Sequence, residues 1–165
     1  MKKFFLTLAV SLFATVSYAQ KDIPAGSSME LASTESSDNQ FAIYKIKDKE
    51  GNPSFILTAG HVMASINIGT SNSSGGFSFG DSSVITIGES YEAALKSIED
   101  LIDLFNEADG AQKEFTCLDG SPAVFTLHKG FLGKHLSIRE ASLSKGDLKS
   151  LRTGLKLSKK LHSGL

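Results

Sequence analysis

The chain has 165 residues, 17 Lys and Arg against 18 Asp and Glu for a formal net charge of −1, and a single cysteine, Cys117. This near-neutral balance gives no whole-molecule attraction for nucleic acid or anionic lipid, and one cysteine excludes an intramolecular disulfide. Stability must come from burial, within a length that suits one domain with an ordinary core.

The first residues carry the three parts of a secretory signal: Lys2 and Lys3, an apolar run over 4–16, and the small residues Ser17 and Ala19. We expect cleavage after Ala19, a mature chain starting at Gln20, and a periplasmic or secreted protein. The apolar run is shorter than the ~20 residues a spanning helix needs, so the cleaved chain should not span a membrane. No cysteine stands directly after it to carry a lipid anchor. Without Lys2 and Lys3 the balance becomes 15 basic to 18 acidic residues, a net charge of −3. Residues 20–40 are poor in apolar side chains and end STESSDNQ, which reads as a flexible leader. Residues 41–165 then form a single domain.

Within that domain, 41–47 (FAIYKIK) and 54–59 (SFILTA) are β-branched and aromatic runs separated by DKEGNP, the pattern of a hairpin. Alternation over 64–68 predicts a third strand, 69–83 a long Gly/Ser loop, and VITIG at 84–88 a fourth strand. Residues 91–108 have the spacing of an amphipathic helix, with Tyr91, Leu95, Ile98, Ile102 and Phe105 on one stripe and Ser90 as its cap. Glu99, Asp103 and Glu107 form an acidic ladder on its outer side. A second meander follows, in which pairing Phe115 with Leu127, Cys117 with Phe125 and Leu127 with Leu136 gathers the apolar residues on one face. That face makes Cys117 a buried small hydrophobe rather than a reactive thiol. Ser144 with Asp147 is a capping box and Leu143 with Leu148 a hydrophobic staple for a last helix. Its stripe is Leu148, Leu151 and Leu155, and Gly154 weakens its interior by about 1 kcal/mol relative to alanine.

The expected fold is therefore α+β: an antiparallel sheet with helices packed on one face and element order ββββαβββα. GNPSFILTAG and GSPAVFTLHKG share a Gly-x-Pro start and a glycine end. This is the pattern of a duplicated βββα unit, or of hairpins that reuse the same turn residues.

FILTAGHVM, with His61, resembles the general-base segment of trypsin-like peptidases. That resemblance implies a nucleophile in a GDSGG-like setting far downstream and a second barrel to present it. The one Ser-Gly-Gly, at 74–76, lies 13 residues after His61, nothing later resembles it, and the chain is too short for two barrels. The resemblance therefore carries no protease assignment.

Three sets of side chains remain as candidate sites. In HKGFLGKH a bend at Phe131 and Leu132 sets His128 opposite His135, and the expected register adds Glu114 to the same row, a ligand set suited to a first-row transition metal. Phe77 and Phe79 stand in the long loop as a binding lip, or fold back on the core. Lys149, Arg152 and Lys156 line a basic face of the last helix. From Asp81 to Asp119 there are 10 acidic and 2 basic residues, and from Lys134 to Lys160 there are 8 basic and 2 acidic. The basic face could dock on an anionic surface, the acidic helix could receive a basic partner, or the two helices could pack together and neutralise each other. The favoured expectation is the last, because the acidic ladder is otherwise uncompensated. Function reads as an exported, non-catalytic binding or accessory protein with no cofactor and an unknown envelope or extracellular partner. The alternatives are a small hydrolase, trypsin-like or metal-dependent, and a protein-binding or inhibitory module.

Overall fold

The computed structural model of the protein describes residues 23–35, 39–61, 83–131 and 133–163. Its elements are β1 (Ser28–Glu35), β2 (Asn39–Lys47), β3 (Pro53–His61), β4 (Ser83–Gly88), α1 (Tyr91–Leu104), β5 (Gln112–Cys117), β6 (Pro122–Gly130), β7 (Gly133–Ile138), β8 (Ala141–Leu143) and α2 (Lys145–Ser163). The eight strands form one antiparallel meander in the order β1 to β8. The expected third strand at 64–68 and most of the expected loop at 69–83 lie outside the described residues. Among those described, each run of four strands is closed by a helix, and two of the strands, β1 and the short β8, are not among those expected.

Period-two alternation explains the two faces of the sheet. Phe41, Ile43, Phe55, Leu57, Ile85, Ile87, Phe125, Leu127, Leu136 and Ile138 point one way, and both helices pack on them. On the opposite face Ala42, Tyr44, Ile46 and Ile56 form a smaller buried cluster. There the Tyr44 hydroxyl donates to Glu30 at 3.1 Å. Burial first, and the Glu30 charge second, push the Tyr44 phenol up to about 12.

The helices form for the local reasons the sequence contains. Ser90 Oγ accepts from the Ala93 amide at 3.1 Å at the start of α1. Ser144 and Asp147 cap α2 reciprocally, Ser144 Oγ accepting from the Asp147 amide at 3.1 Å and Asp147 Oδ2 from the Ser144 amide at 2.9 Å. Leu148, Leu151 and Leu155 are fully buried. Helix α1 ends at Leu104, four residues before the expected limit, and turns at Phe105 to Ala108 complete the segment. The acidic and basic helices meet as expected: Lys156 pairs with Glu99 at 3.3 Å and Lys159 with Glu92 at 2.6 Å.

Part of the expected leader belongs to the sheet. Ser28–Glu35 is β1, paired along its length with β2 and bulged at Leu31. The bulge puts two successive residues, Leu31 and Ala32, on the buried side and removes the alternation by which a strand is read. It also leaves the Leu31 carbonyl outside the ladder, where Ser158 Oγ of α2 donates to it at 2.6 Å. Gly154 is the residue that permits this approach. A Cβ there would lie 2.7 Å from Ala32 Cβ, so alanine would cost about 1–3 kcal/mol in overpacking, more than the helix propensity it would restore.

The β5–β6 register differs from expectation. Phe115 pairs with Ala123 and Glu114 with Val124, a slip of four residues along β6. A tight turn causes it. The Cys117 amide donates to Ser121 O at 2.7 Å, the Gly120 amide donates to Cys117 O at 2.9 Å, and Gly120 takes the left-handed conformation at φ +83. This is the three-residue hairpin connection, a type I turn completed by a left-handed glycine. An even slip preserves side-chain parity, so the expected apolar face survives and Cys117 is buried at the end of β5. The β2–β3 turn repeats the same bonds: the Asp48 amide donates to Asn52 O at 3.1 Å and the Gly51 amide to Asp48 O at 3.1 Å.

Candidate functional site

Strands β6 and β7 run past the end of α1, and the side chains change character where the helix stops. On the core face Leu127 pairs with Leu136, and one step further Lys129 pairs with Lys134. Lys134 Nζ donates to the carbonyl of Phe105 at the C-terminus of α1, a helix with no basic residue in its own last turn. A cation at that position satisfies a terminal carbonyl and opposes the negative end of the helix dipole. Lys145 of α2 adds a second cation there, 5.9 Å from the centre of the Phe105 ring.

The opposite edge of the hairpin is fixed by the turn that follows α1. The Gly110 amide donates to Leu127 O and the Leu127 amide to Ala111 O, both at 2.8 Å. Asp109 Oδ1 then accepts from the Lys129 amide at 2.7 Å, occupying a backbone donor that would otherwise extend the open edge of β6. Gly130 pairs with Gly133, so two residues make the bend. Phe131 at that bend is fully exposed.

On the face turned away from the helices, His128 pairs with His135 and Thr126 with Ser137. The imidazole centroids are 5.4 Å apart with 27° between the planes. His128 Nε2 lies 2.8 Å from Ser137 Oγ, the diagonal contact that alternate residues of neighbouring strands make. His128 is exposed and His135 half-buried.

The expected His128 and His135 pairing is present, but Glu114 is not in their row. It stands opposite Val124, and the chain facing Leu127 is Gly110 and Ala111. Among the described residues no three His, Cys, Asp or Glu side chains lie together as a metal-binding group. Lys156 is engaged with Glu99, while Lys149 is exposed and Arg152 half-buried on the same helix. Phe77 and Phe79 lie outside the described residues. His61 ends β3 and pairs with Asn39.

Three members of the hairpin's support are not singled out by the sequence: Asp109 and Ser137 stand outside HKGFLGKH, and Lys134 stands inside it without a role. Ser137 was accessible from alternation, being two residues after His135 on the same face. Asp109 and Lys134 join the hairpin to the end of a helix distant in sequence, and no local pattern records that contact. Compared with known proteins, the chain matches no family model, no curated protein and no solved structure. Among the described residues no helix is long and apolar enough to cross a membrane.

Proposed function

We propose that this is an exported, non-catalytic binding protein that engages a partner protein in the envelope or outside the cell through the β6–β7 hairpin. The observation that supports it best is Phe131, a fully exposed aromatic on a hairpin braced from one side by Asp109 and from the other by Lys134. A large apolar side chain held out by a fixed backbone loses little further freedom on binding and suits a central contact in an interface. With Lys129 two residues away on the same strand end, the complementary surface is an apolar pocket rimmed by carboxylates. The signal-like residues 1–19 support export.

The test is a photo-crosslinking side chain placed at position 131 in the producing cells, with position 124 on exposed β6 as control. A discrete adduct from 131 that is absent from 124 and lost on competition with untagged protein is expected. Identical adducts from both positions, or none from either, would count against the hairpin as the binding element. A hydrolytic activity lost in His61→Ala without loss of folding would favour the hydrolase alternative.

A duplicated ancestral unit is part of the same reading. Its support is the shared geometry of the β2–β3 and β5–β6 turns and the helix that closes each set of four strands.

A further inference from the structure

We propose that His128 and His135 form a two-imidazole chelate for a divalent transition-metal ion of the zinc, nickel or copper kind. This goes beyond partner binding and does not depend on it, because it needs only the paired hairpin. Imidazole is a preferred ligand of these borderline ions, and copper stands highest in their affinity order.

The geometry is that of directly opposed residues on one sheet face. Cβ atoms in such pairs are about 4.5–5.5 Å apart, and a metal bound to two imidazoles needs each nitrogen at about 2.0–2.1 Å. The rings already stack, 5.4 Å between centres and 27° between planes, on the face turned away from α1 and α2, so rotation about the side-chain bonds brings both Nε2 atoms toward one point. In the tautomer that accepts from Ser137, His128 Nε2 carries the lone pair that a metal ion takes. The metal then replaces the hydroxyl as its partner. Backbone order favours the chelate, since the register is held on both sides of the pair by Leu127 with Leu136 and by Lys129 with Lys134. With two protein ligands the remaining positions belong to water. The site is therefore open and exchangeable, unlike a closed four-ligand structural site. Acid should release the metal, because imidazole must be neutral to ligate.

Calorimetric titration of the folded mature protein with zinc, nickel and copper chlorides in a non-coordinating buffer tests this. One ion per chain is expected, with affinity falling about a hundredfold when either imidazole is removed, the loss that follows when the second contact is no longer intramolecular. His128→Ala, His135→Ala and the closer-sized His135→Gln should all show it, with circular dichroism confirming the fold. Ser137→Ala should bind at least as tightly as the parent, and His162→Ala should be unchanged. In nuclear magnetic resonance the ring signals of His128 and His135 should shift or broaden together on addition of metal. Retained binding in the double alanine variant, single variants that bind like the parent, or no heat at millimolar metal would each overturn the proposal.

Discussion

The two hairpins that share β6 are built on opposite plans. At the β5–β6 end the chain turns within three residues, Gly120 is left-handed, and Asp119 Oδ1 accepts from both the Ser121 amide at 2.9 Å and the Ser121 hydroxyl at 2.6 Å. That turn satisfies itself. At the β6–β7 end the two linking residues sit between glycines, and the support comes from Asp109 and from Lys134 reaching the end of α1. The first turn fixes a register; the second is held by tertiary contacts and displays an aromatic. The difference teaches that a turn's own chemistry can override side-chain matching in setting register, whereas the second bend, among the described residues, is held by contacts from elsewhere in the fold and displays Phe131.

Removing the strand that both hairpins share should have the largest effect. Phe125 is fully buried and packs edge-to-face on Phe115 with 5.6 Å between centroids. Phe125→Ala should cost about 3–5 kcal/mol, measured by urea unfolding, with amide protection lost from both hairpins together. Loss confined to one would show that the two are independent units.

Next in size is Gly120→Ala, which forces a side chain into the left-handed region for about 1–2 kcal/mol. An alanine at Gly51 in the matching β2–β3 turn should cost a similar amount, since Gly51 sits at φ +89. Unequal losses would separate two turns that share the same bonds.

A smaller effect is expected from acid. The hydroxyl of Ser121 first, and its amide second, hold the Asp119 carboxyl below its ordinary value. Its contribution to stability is therefore present above the ordinary aspartate range and is lost as pH falls through that range into the lowered one. Urea midpoints of the parent should fall more steeply with acidification than those of Asp119→Asn. Parallel curves would remove Asp119 from the account of this turn.

Smallest of all should be the change in stability from Phe131→Ser, within about 0.5 kcal/mol, because the side chain is outside the core. The same substitution should abolish the partner adduct in the crosslinking assay when the probe is moved to position 129. Stability lost with the aromatic would mean that Phe131 is structural and not displayed.

How far the sequence could be read follows from these two plans. The faces of β5, β6 and β7 were legible because parity survives any even slip, and Phe115, Phe125 and Leu127 stay on one side whether Phe115 meets Leu127 or Ala123. The candidate metal row was less legible for the same reason: it needed the register itself, and the tight turn at Cys117–Ser121 moved Glu114 away from His128. β1 has the composition of a leader because it is a bulged edge strand with Ser28, Glu30, Ser33 and Glu35 on its outer side and a polar Thr34 facing Asp147 of α2. Its place is fixed by Gly154 and Ser158, more than a hundred residues away.

The sequence by itself determined what depends on neighbours within a few positions. Ser90, the Ser144 and Asp147 box, the leucine stripe of α2, the alternation of the strands and the direct pairing of His128 with His135 all belong to that class. Only the tertiary structure decided which segments completed the sheet, how the acidic and basic helices neutralised each other, and what braced the exposed hairpin. The physical reason is range: caps, periodicity and glycine turns act through backbone geometry within one or two turns of chain. A carbonyl left open by a bulge, or at the end of a helix, can instead be satisfied from anywhere the folded chain returns.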